Sequence, residues 1–176
     1  MTRAILSLGS NLGDRAGHLR RAVDLLGDRV LLASGVYETP PWGDDRAQPA
    51  YLNAVVMVLD PDIEPAGWLE LARACEKDAG RVRDPDRRFG PRPLDVDVIE
   101  VYGPDDTPVT SDDPELTLPH PRAHLRAFVL KPWLDIQPYA QLTGHGWVTD
   151  LLTRPELAAD AAAMSPCSGL SLQLDP

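Results

Sequence analysis

The chain reads as an α+β fold with a ferredoxin-like core, an antiparallel sheet flanked by helices. Two observations predict it. Short apolar runs and helix-period stripes follow one another in the order β-α-β-β-α-β, and the second and third strands are joined by a loop with no helix between them. That direct step favours antiparallel pairing. An alternating β/α order with a parallel sheet, the competing arrangement, would need a crossover there.

Residues 3–8 form a short apolar run, read as a strand, ended by Gly9-Ser10-Asn11. Leu19, Ala22, Val23 and Leu26 then fall at i, i+3, i+4 and i+7, one face of a helix that Asp14 is placed to cap and Gly27 to stop. Residues 30–37 read as a second strand, Thr39-Pro40-Pro41-Trp42-Gly43 and the polar residues after it as a loop, and 51–59 as a third strand. Both faces of that run are apolar beyond Asn53, which places it centrally in the sheet. Pro65 suits the first turn of a second helix, with Trp68, Leu71, Ala72 and Cys75 as its buried stripe before Gly80. A fourth strand covers 94–102 and an acidic, proline-containing loop 103–114, with shorter helical stretches over 123–134 and near 150–152. Residues 1–154 are expected to make one domain. From 155 to 176 periodicity is weak, and this segment is read as a tail whose last dozen or so residues are mobile.

At 176 residues the chain suits a single domain, and 18 prolines against 13 glycines imply many rigid turns. A net charge of −10 argues against nucleic acid or an anionic membrane as a partner, since neither would be steered towards it. Residues 4–8 are too short an apolar run for a signal peptide and no stretch is long enough to span a bilayer, so a cytoplasmic protein is expected. Cys75 and Cys167 supply neither a disulfide framework nor metal-ligand spacing and read as free thiols.

Against this acidic background five arginines, Arg81, Arg83, Arg87, Arg88 and Arg92, lead directly into Asp95 and Asp97. Guanidinium groups grip phosphate oxygens, and two carboxylates spaced i, i+2 on a strand leave the same face and can converge on Mg²⁺. A solvated strand end paired with its neighbouring arginines is the plainer alternative. Arg92 is fixed between Pro91 and Pro93, and Arg81 lies just past the second helix. Arg83, Arg87 and Arg88 can equally form a solvated loop balanced by Asp84 and Asp86. Tyr51 and Asn53 repeat the i, i+2 spacing and offer a stacking face beside an amide, although Tyr51 and Phe128 also suit core packing. His120, between Pro119 and Pro121, sits in a constrained turn where it can donate to phosphate, and Arg126 can join a phosphate clamp or cap a helix C-terminus. No Gly-x-x-x-x-Gly-Lys-Ser/Thr loop is present, so an ATP site must be built from side chains and loop backbone.

Taken together the segments resemble the 6-hydroxymethyl-7,8-dihydropterin pyrophosphokinase family of folate biosynthesis. The resemblance runs from Ala4-Ile5-Leu6-Ser7-Leu8-Gly9-Ser10-Asn11-Leu12-Gly13-Asp14 through Tyr37-Glu38-Thr39-Pro40-Pro41-Trp42-Gly43 and Tyr51-Leu52-Asn53-Ala54. It continues in Arg88-Phe89-Gly90-Pro91-Arg92-Pro93-Leu94-Asp95-Val96-Asp97, Leu116-Thr117-Leu118-Pro119-His120-Pro121-Arg122 and Arg126-Ala127-Phe128-Val129-Leu130. It implies transfer of the terminal diphosphate of ATP to the pterin hydroxymethyl oxygen, with release of AMP. By the same resemblance Asp95 and Asp97 hold two Mg²⁺ ions, Arg81, Arg92 and Arg126 bind phosphates and stabilise transition-state charge, and His120 contacts the nucleotide phosphates. Tyr51 and Phe128 sandwich the pterin, Asn53 reads its edge, and Thr39, Pro40 and Gly43 border its pocket. Glu76 and Thr117 fall at nucleotide-binding positions; Arg83 and Arg88 are expected to join them, and a monomer is expected. The chain departs from the family pattern at Arg73, Phe89 and Glu115.

Two rivals are weaker. An Asp-x-Asp phosphatase places its acidic pair at the end of an early parallel strand, whereas Asp95 begins a late strand after Pro93. A catalytically silent pterin- or nucleotide-binding module would be favoured by loss of a carboxylate, and both are present.

Overall fold

A computed structural model describes residues 1–43, 47–82 and 90–172. A six-stranded antiparallel sheet is built around β1 (Thr2–Ser10), which lies between β4 (Tyr51–Asp60) and β5 (Asp95–Tyr102). The far side of β4 is shared by β2 (Val30–Ala33) and β3 (Tyr37–Thr39). Every pairing is antiparallel, and the strand order agrees with the ferredoxin-like expectation, β4 being central.

The strand expected over 30–37 is two strands, because Ser34 interrupts the ladder. Its hydroxyl accepts the Val55 N–H at 2.8 Å and donates to the Gly35 carbonyl, replacing the backbone partner that a continuous strand would supply.

Side-chain alternation sorts the sheet into two faces. Ala4, Leu6 and Leu8 of β1, Ala54, Val56 and Val58 of β4, and Val96 and Val98 of β5 pack under α1 (Arg15–Leu26) and α2 (Pro65–Asp78). The helix stripes are those the spacing predicts: Leu19, Ala22, Val23 and Leu26 are buried, as are Trp68, Ala72 and Cys75, with Leu71 half-buried. Asp14 caps α1 by accepting from the Gly17 N–H at 3.0 Å.

Trp68 is fully buried and its indole N–H donates to Thr2 Oγ1 at 2.8 Å, while that hydroxyl donates onward to the Ile63 carbonyl. Trp68→Phe removes one link of this chain and leaves a void, so urea unfolding should report a loss of about 2–3 kcal/mol at unchanged m-value.

On the opposite face Ile5, Val55, Met57 and Ile99 are covered by α3 (Ala127–Ile136) and by the elements that follow. The strand β6 (Ser111–Asp113) falls inside the segment expected to be loop and forms a hairpin with β7 (Leu116–Leu118) just beyond it. The helical stretch expected over 123–134 is a 3₁₀ turn, Ala123–Leu125, then α3, separated by Arg126 in an extended conformation (φ −118°, ψ 94°). Beyond them come β8 (Gln141–Leu142), β9 (Gly146–Trp147), α4 (Val148–Leu151), α5 (Pro155–Ala162) and β10 (Ser165–Pro166).

The segment read from sequence as a weakly patterned tail is therefore structured through Leu172. Leu157, Met164 and Leu172 are buried, and β10 pairs with β3. Its only long apolar anchor in α5 is Leu157, which explains why no period is visible in the alanine-rich run.

Both cysteines are free, as expected. Among the described residues no helix is long and apolar enough to cross a membrane.

Candidate active site

The face of the sheet beneath α3 is covered at one end only. Where β1 ends and β4 and β5 begin, it lies open, and the residues on it are Ser7, Gly9, Tyr51, Asn53, Asp95 and Asp97. Register makes them a grid: Gly9 stands opposite Asn53 on one side and Asp95 on the other, and Ser7 opposite Val55 and Asp97. A cleft of about 380 Å³ rises from this floor.

Asp95 and Asp97 leave one face as the i, i+2 spacing predicts, and the arginines close on them. Arg81 Nη1 donates to Asp95 Oδ1 and to Glu76 Oε1, and lies 3.3 Å from the Leu94 carbonyl. Arg92 Nη1 is 3.2 Å from the same Asp95 oxygen, and Arg126 Nη1 donates to Asp97 Oδ2 at 2.7 Å. Burial would raise the Asp95 pKa, but Arg92 and Arg81 outweigh it and hold the carboxyl below its ordinary range.

Arg92 is aimed by its own backbone. The Arg92 N–H donates to Asn11 Oδ1 at 2.8 Å, the Asn11 N–H returns to the Arg92 carbonyl at 3.2 Å, and Arg92 Nε donates to the Gly90 carbonyl.

Arg126 stands between the 3₁₀ turn and α3, and its side chain lines the cleft. Its Nε is buried and finds no hydrogen-bond partner among the described residues. A buried guanidinium donor without an acceptor is uncommon and marks a residue whose hydrogen-bonding capacity is not used up by the fold.

His120 follows a cis peptide between Leu118 and Pro119 and lies against the free edge of β5, its N–H donating to the Ile99 carbonyl at 2.8 Å. The Arg122 N–H donates to His120 Nδ1 at 3.1 Å, which leaves the proton of a neutral ring on Nε2, 3.8 Å from Asp97 Oδ2. Burial lowers the His120 pKa, with Arg126 and Arg122 adding to it against the opposing pull of Asp97. The neutral ring is thus favoured near pH 7 and presents a donor without a charge.

One end of the cleft is aromatic and amide-lined. Tyr51, Asn53, Thr39, Pro40 and Phe128 all line it, and Asn53 Nδ2 donates to Thr39 Oγ1 at 2.6 Å. Gly9 forms the floor: a Cβ there would sit 2.9 Å from Asn53 Oδ1 and 3.5 Å from the Tyr51 ring, so any larger residue would displace the amide. Trp42 adds a wall, edge-on to Phe128 at 6.3 Å and 65°, with the Arg126 guanidinium 5.2 Å from its ring. Gly43, expected at this border, stands one residue past Trp42 at φ +81° and does not line the cleft.

The other end lies between α2 and the β6–β7 hairpin. Glu76 and Thr117 line it, yet both are engaged internally: Glu76 Oε1 also accepts the Val96 N–H at 3.0 Å, and Thr117 Oγ1 donates to the Asp113 carbonyl at 3.0 Å. Arg73 and Glu115, the two departures here, pair with each other. Arg83, Arg87, Arg88 and Phe89 lie outside the described residues.

Sequence reasoning assigned no role to Ser7, Gly9, Trp42 or Arg122, all of which line the cleft. Gly9 carried the one available signal, a glycine at the end of an apolar strand.

This geometry agrees with the similarity of the chain to known proteins. The model of the family described as 7,8-dihydro-6-hydroxymethylpterin-pyrophosphokinase (HPPK) matches residues 5–138. The chain belongs to this family. A Mycobacterium tuberculosis protein named 2-amino-4-hydroxy-6-hydroxymethyldihydropteridine pyrophosphokinase is 51% identical over 165 residues, 90% of this chain and 86% of that one. A Methylorubrum extorquens protein of the same name is 44% identical over 149 residues, covering 82% and 89% respectively. Among solved structures, a Plasmodium falciparum HPPK-DHPS chain superposes with a TM-score of 0.64 at 11% identity, over 94% of this chain. The HPPK member spans only 47% of that longer chain, so this likeness speaks for the fold.

Proposed function

We propose that the protein transfers diphosphate from ATP to the hydroxymethyl group of 6-hydroxymethyl-7,8-dihydropterin, releasing AMP. The observation that carries this reading is the middle of the cleft, where Arg81, Arg92, Arg126 and His120 surround Asp95 and Asp97. On one side lies a stacking and amide-reading compartment, on the other a second compartment between α2 and the hairpin.

The flat pterin enters the aromatic end, between Tyr51 and Phe128, with the Asn53 amide facing its edge and Gly9 leaving the floor clear. The nucleotide occupies the opposite compartment, so its phosphates fall among the guanidinium groups. Arg81, Arg92 and Arg126 orient the triphosphate and offset charge that builds as the bond between the α-phosphate's bridging oxygen and the β-phosphorus breaks. Arg126 Nε offers a donor that is not already committed. His120 Nε2–H donates to a phosphate oxygen. The pterin hydroxymethyl oxygen forms the new bond to the β-phosphorus as its O–H bond breaks and the proton passes to solvent, and AMP leaves.

The donor set suits Mg²⁺: two hard carboxylates on one face of β5, next to space for phosphate oxygens. Asp95 and Asp97 would hold it, two ions with ATP, supplying charge neutralisation at the polyphosphate. Both carboxylates are meanwhile balanced by arginines, which keeps the cluster charged and ordered. The reading extends to a cytoplasmic monomer, consistent with an acidic surface that does not favour polyanionic partners.

The test is AMP release from ATP and Mg²⁺, with and without the pterin, alongside mass spectrometry of the pterin product. One pterin diphosphate per AMP is the expected result. ADP or free phosphate instead would mean that a different bond is broken, and pterin binding without ATP turnover would make the chain a silent binding module.

A further inference from the structure

The family match ends at residue 138, yet the chain continues through α5 and β10 onto the outer side of the aromatic end of the cleft. We propose that residues 155–172 are a positioning brace for the pterin end of the site, holding β3 and the Trp42–Phe128 wall where the pterin must stack. This rests on the pterin reading of that compartment.

Three contacts carry the inference. First, β3 would be the edge of the sheet were it not for β10, which pairs Ser165 with Glu38 and Pro166 with Tyr37, while the Cys167 N–H donates to the Val36 carbonyl at 2.8 Å. The strand so held runs directly into Thr39, whose hydroxyl receives the Asn53 amide, and then into Pro40 and Trp42. A shift of β3 therefore moves both the amide that reads the pterin edge and the wall beside it.

Second, α5 is fastened to α3, the helix that carries Phe128. Lys131 Nζ donates to the Ala161 carbonyl at 2.9 Å, a cation meeting the C-terminal, negative end of α5. Leu157 is buried in the same cluster as Leu130 and Trp133.

Third, a small crevice of about 60 Å³ separates Asp160, Ala163 and Met164 from Pro41, Trp42 and Phe128. The tail thus backs the aromatic wall from outside while standing clear of the carboxylates and arginines. It touches neither substrate, so its action is on position.

The test compares Met164→Ala and Lys131→Met with the full-length parent. Lys131→Met keeps the apolar stem and removes the bond to Ala161 together with the ammonium's approach to the Tyr37 ring of β3, 5.3 Å from its centroid. Both variants should raise KM for the pterin, and its Kd by titration calorimetry, about fivefold or more, with kcat and the KM for ATP within about twofold. Val148→Ala, in the same buried cluster but away from the wall, supplies a destabilised control whose pterin constants should not move.

Pterin and ATP constants rising together, or Val148→Ala raising the pterin constants as much as Met164→Ala, would reduce the tail to general stabilisation and overturn the proposal. Unchanged pterin constants in both brace variants would overturn it equally. Failure of the parent to release AMP would count against the functional reading instead, and the pterin Kd would still test the brace.

Discussion

Asp97→Ala is expected to lower the rate of AMP release by about 10³-fold or more while leaving the fold in place. Position supports both halves of this statement. The side chain stands on the open floor of the cleft, 29% exposed, and no part of the apolar core rests on it. Its removal leaves Arg126 Nη1 without the partner it has at 2.7 Å, next to a buried Nε that already has none among the described residues, so some stability is lost at that point. It also withdraws one of the two carboxylates available for metal and leaves Arg126 and His120 without the charge that faces them. Circular dichroism and a thermal scan beside the rate measurement separate the outcomes. An unfolded variant would mark Asp97 as a structural residue, and a folded variant retaining more than about a tenth of parental turnover would remove it from the catalytic centre. Asp97→Asn, which keeps the volume, should behave like the alanine variant in rate and closer to the parent in stability.

The parts of this site that were legible in the sequence are those whose geometry is local. Asp95 with Asp97, and Tyr51 with Asn53, are two apart on strands, and the period of two places each pair on a common face before any tertiary contact is known. Arg92 between two prolines is another local constraint. What the sequence did not reveal depends on register and on packing between distant segments. Ser7 and Gly9 become the floor only because β1 lies between β4 and β5 in that exchange of partners. Trp42 is plainly present in the Thr-Pro-Pro-Trp-Gly segment, yet its use as a wall depends on Phe128 arriving from α3.

The break at Ser34 has the same character, since its hydroxyl substitutes for a backbone acceptor only once β4 is alongside. In α5 a signal was present and outweighed: Pro155 at the first turn followed by Glu and alanines is a helix-forming string, but a single buried leucine gives no period. The two residues of β10, one of them proline, carry no strand signature at all and are defined by the edge they cover.

Glu76 is where a role implied by resemblance and a role implied by contact diverge, and its substitution has the second large effect expected. The carboxylate is buried, about 5% exposed, and its Oε1 takes two donors, the Arg81 guanidinium and the Val96 N–H at the free edge of β5. Glu76→Ala leaves that N–H without its acceptor and weakens the tether of a mostly buried arginine. Breaking a buried pair in this way costs about 3–5 kcal/mol, and the lower end applies here because Arg81 keeps Asp95 and the Leu94 carbonyl. Turnover should fall as well, since Arg81 is aimed at the Asp95 oxygen from two sides and loses one of them.

Glu76→Gln separates the two roles. The amide oxygen can still accept from Val96, so most of the stability should return, with a deficit of about 1–2 kcal/mol from the lost charge. If Glu76 serves by aiming Arg81, the glutamine variant lowers kcat and leaves the KM for ATP nearly unchanged. If instead it touches the nucleotide, as its family position implies, the KM for ATP rises. Stability and steady-state kinetics measured on the same two variants therefore decide whether this carboxylate holds the phosphate-binding arginine in place or meets the substrate itself.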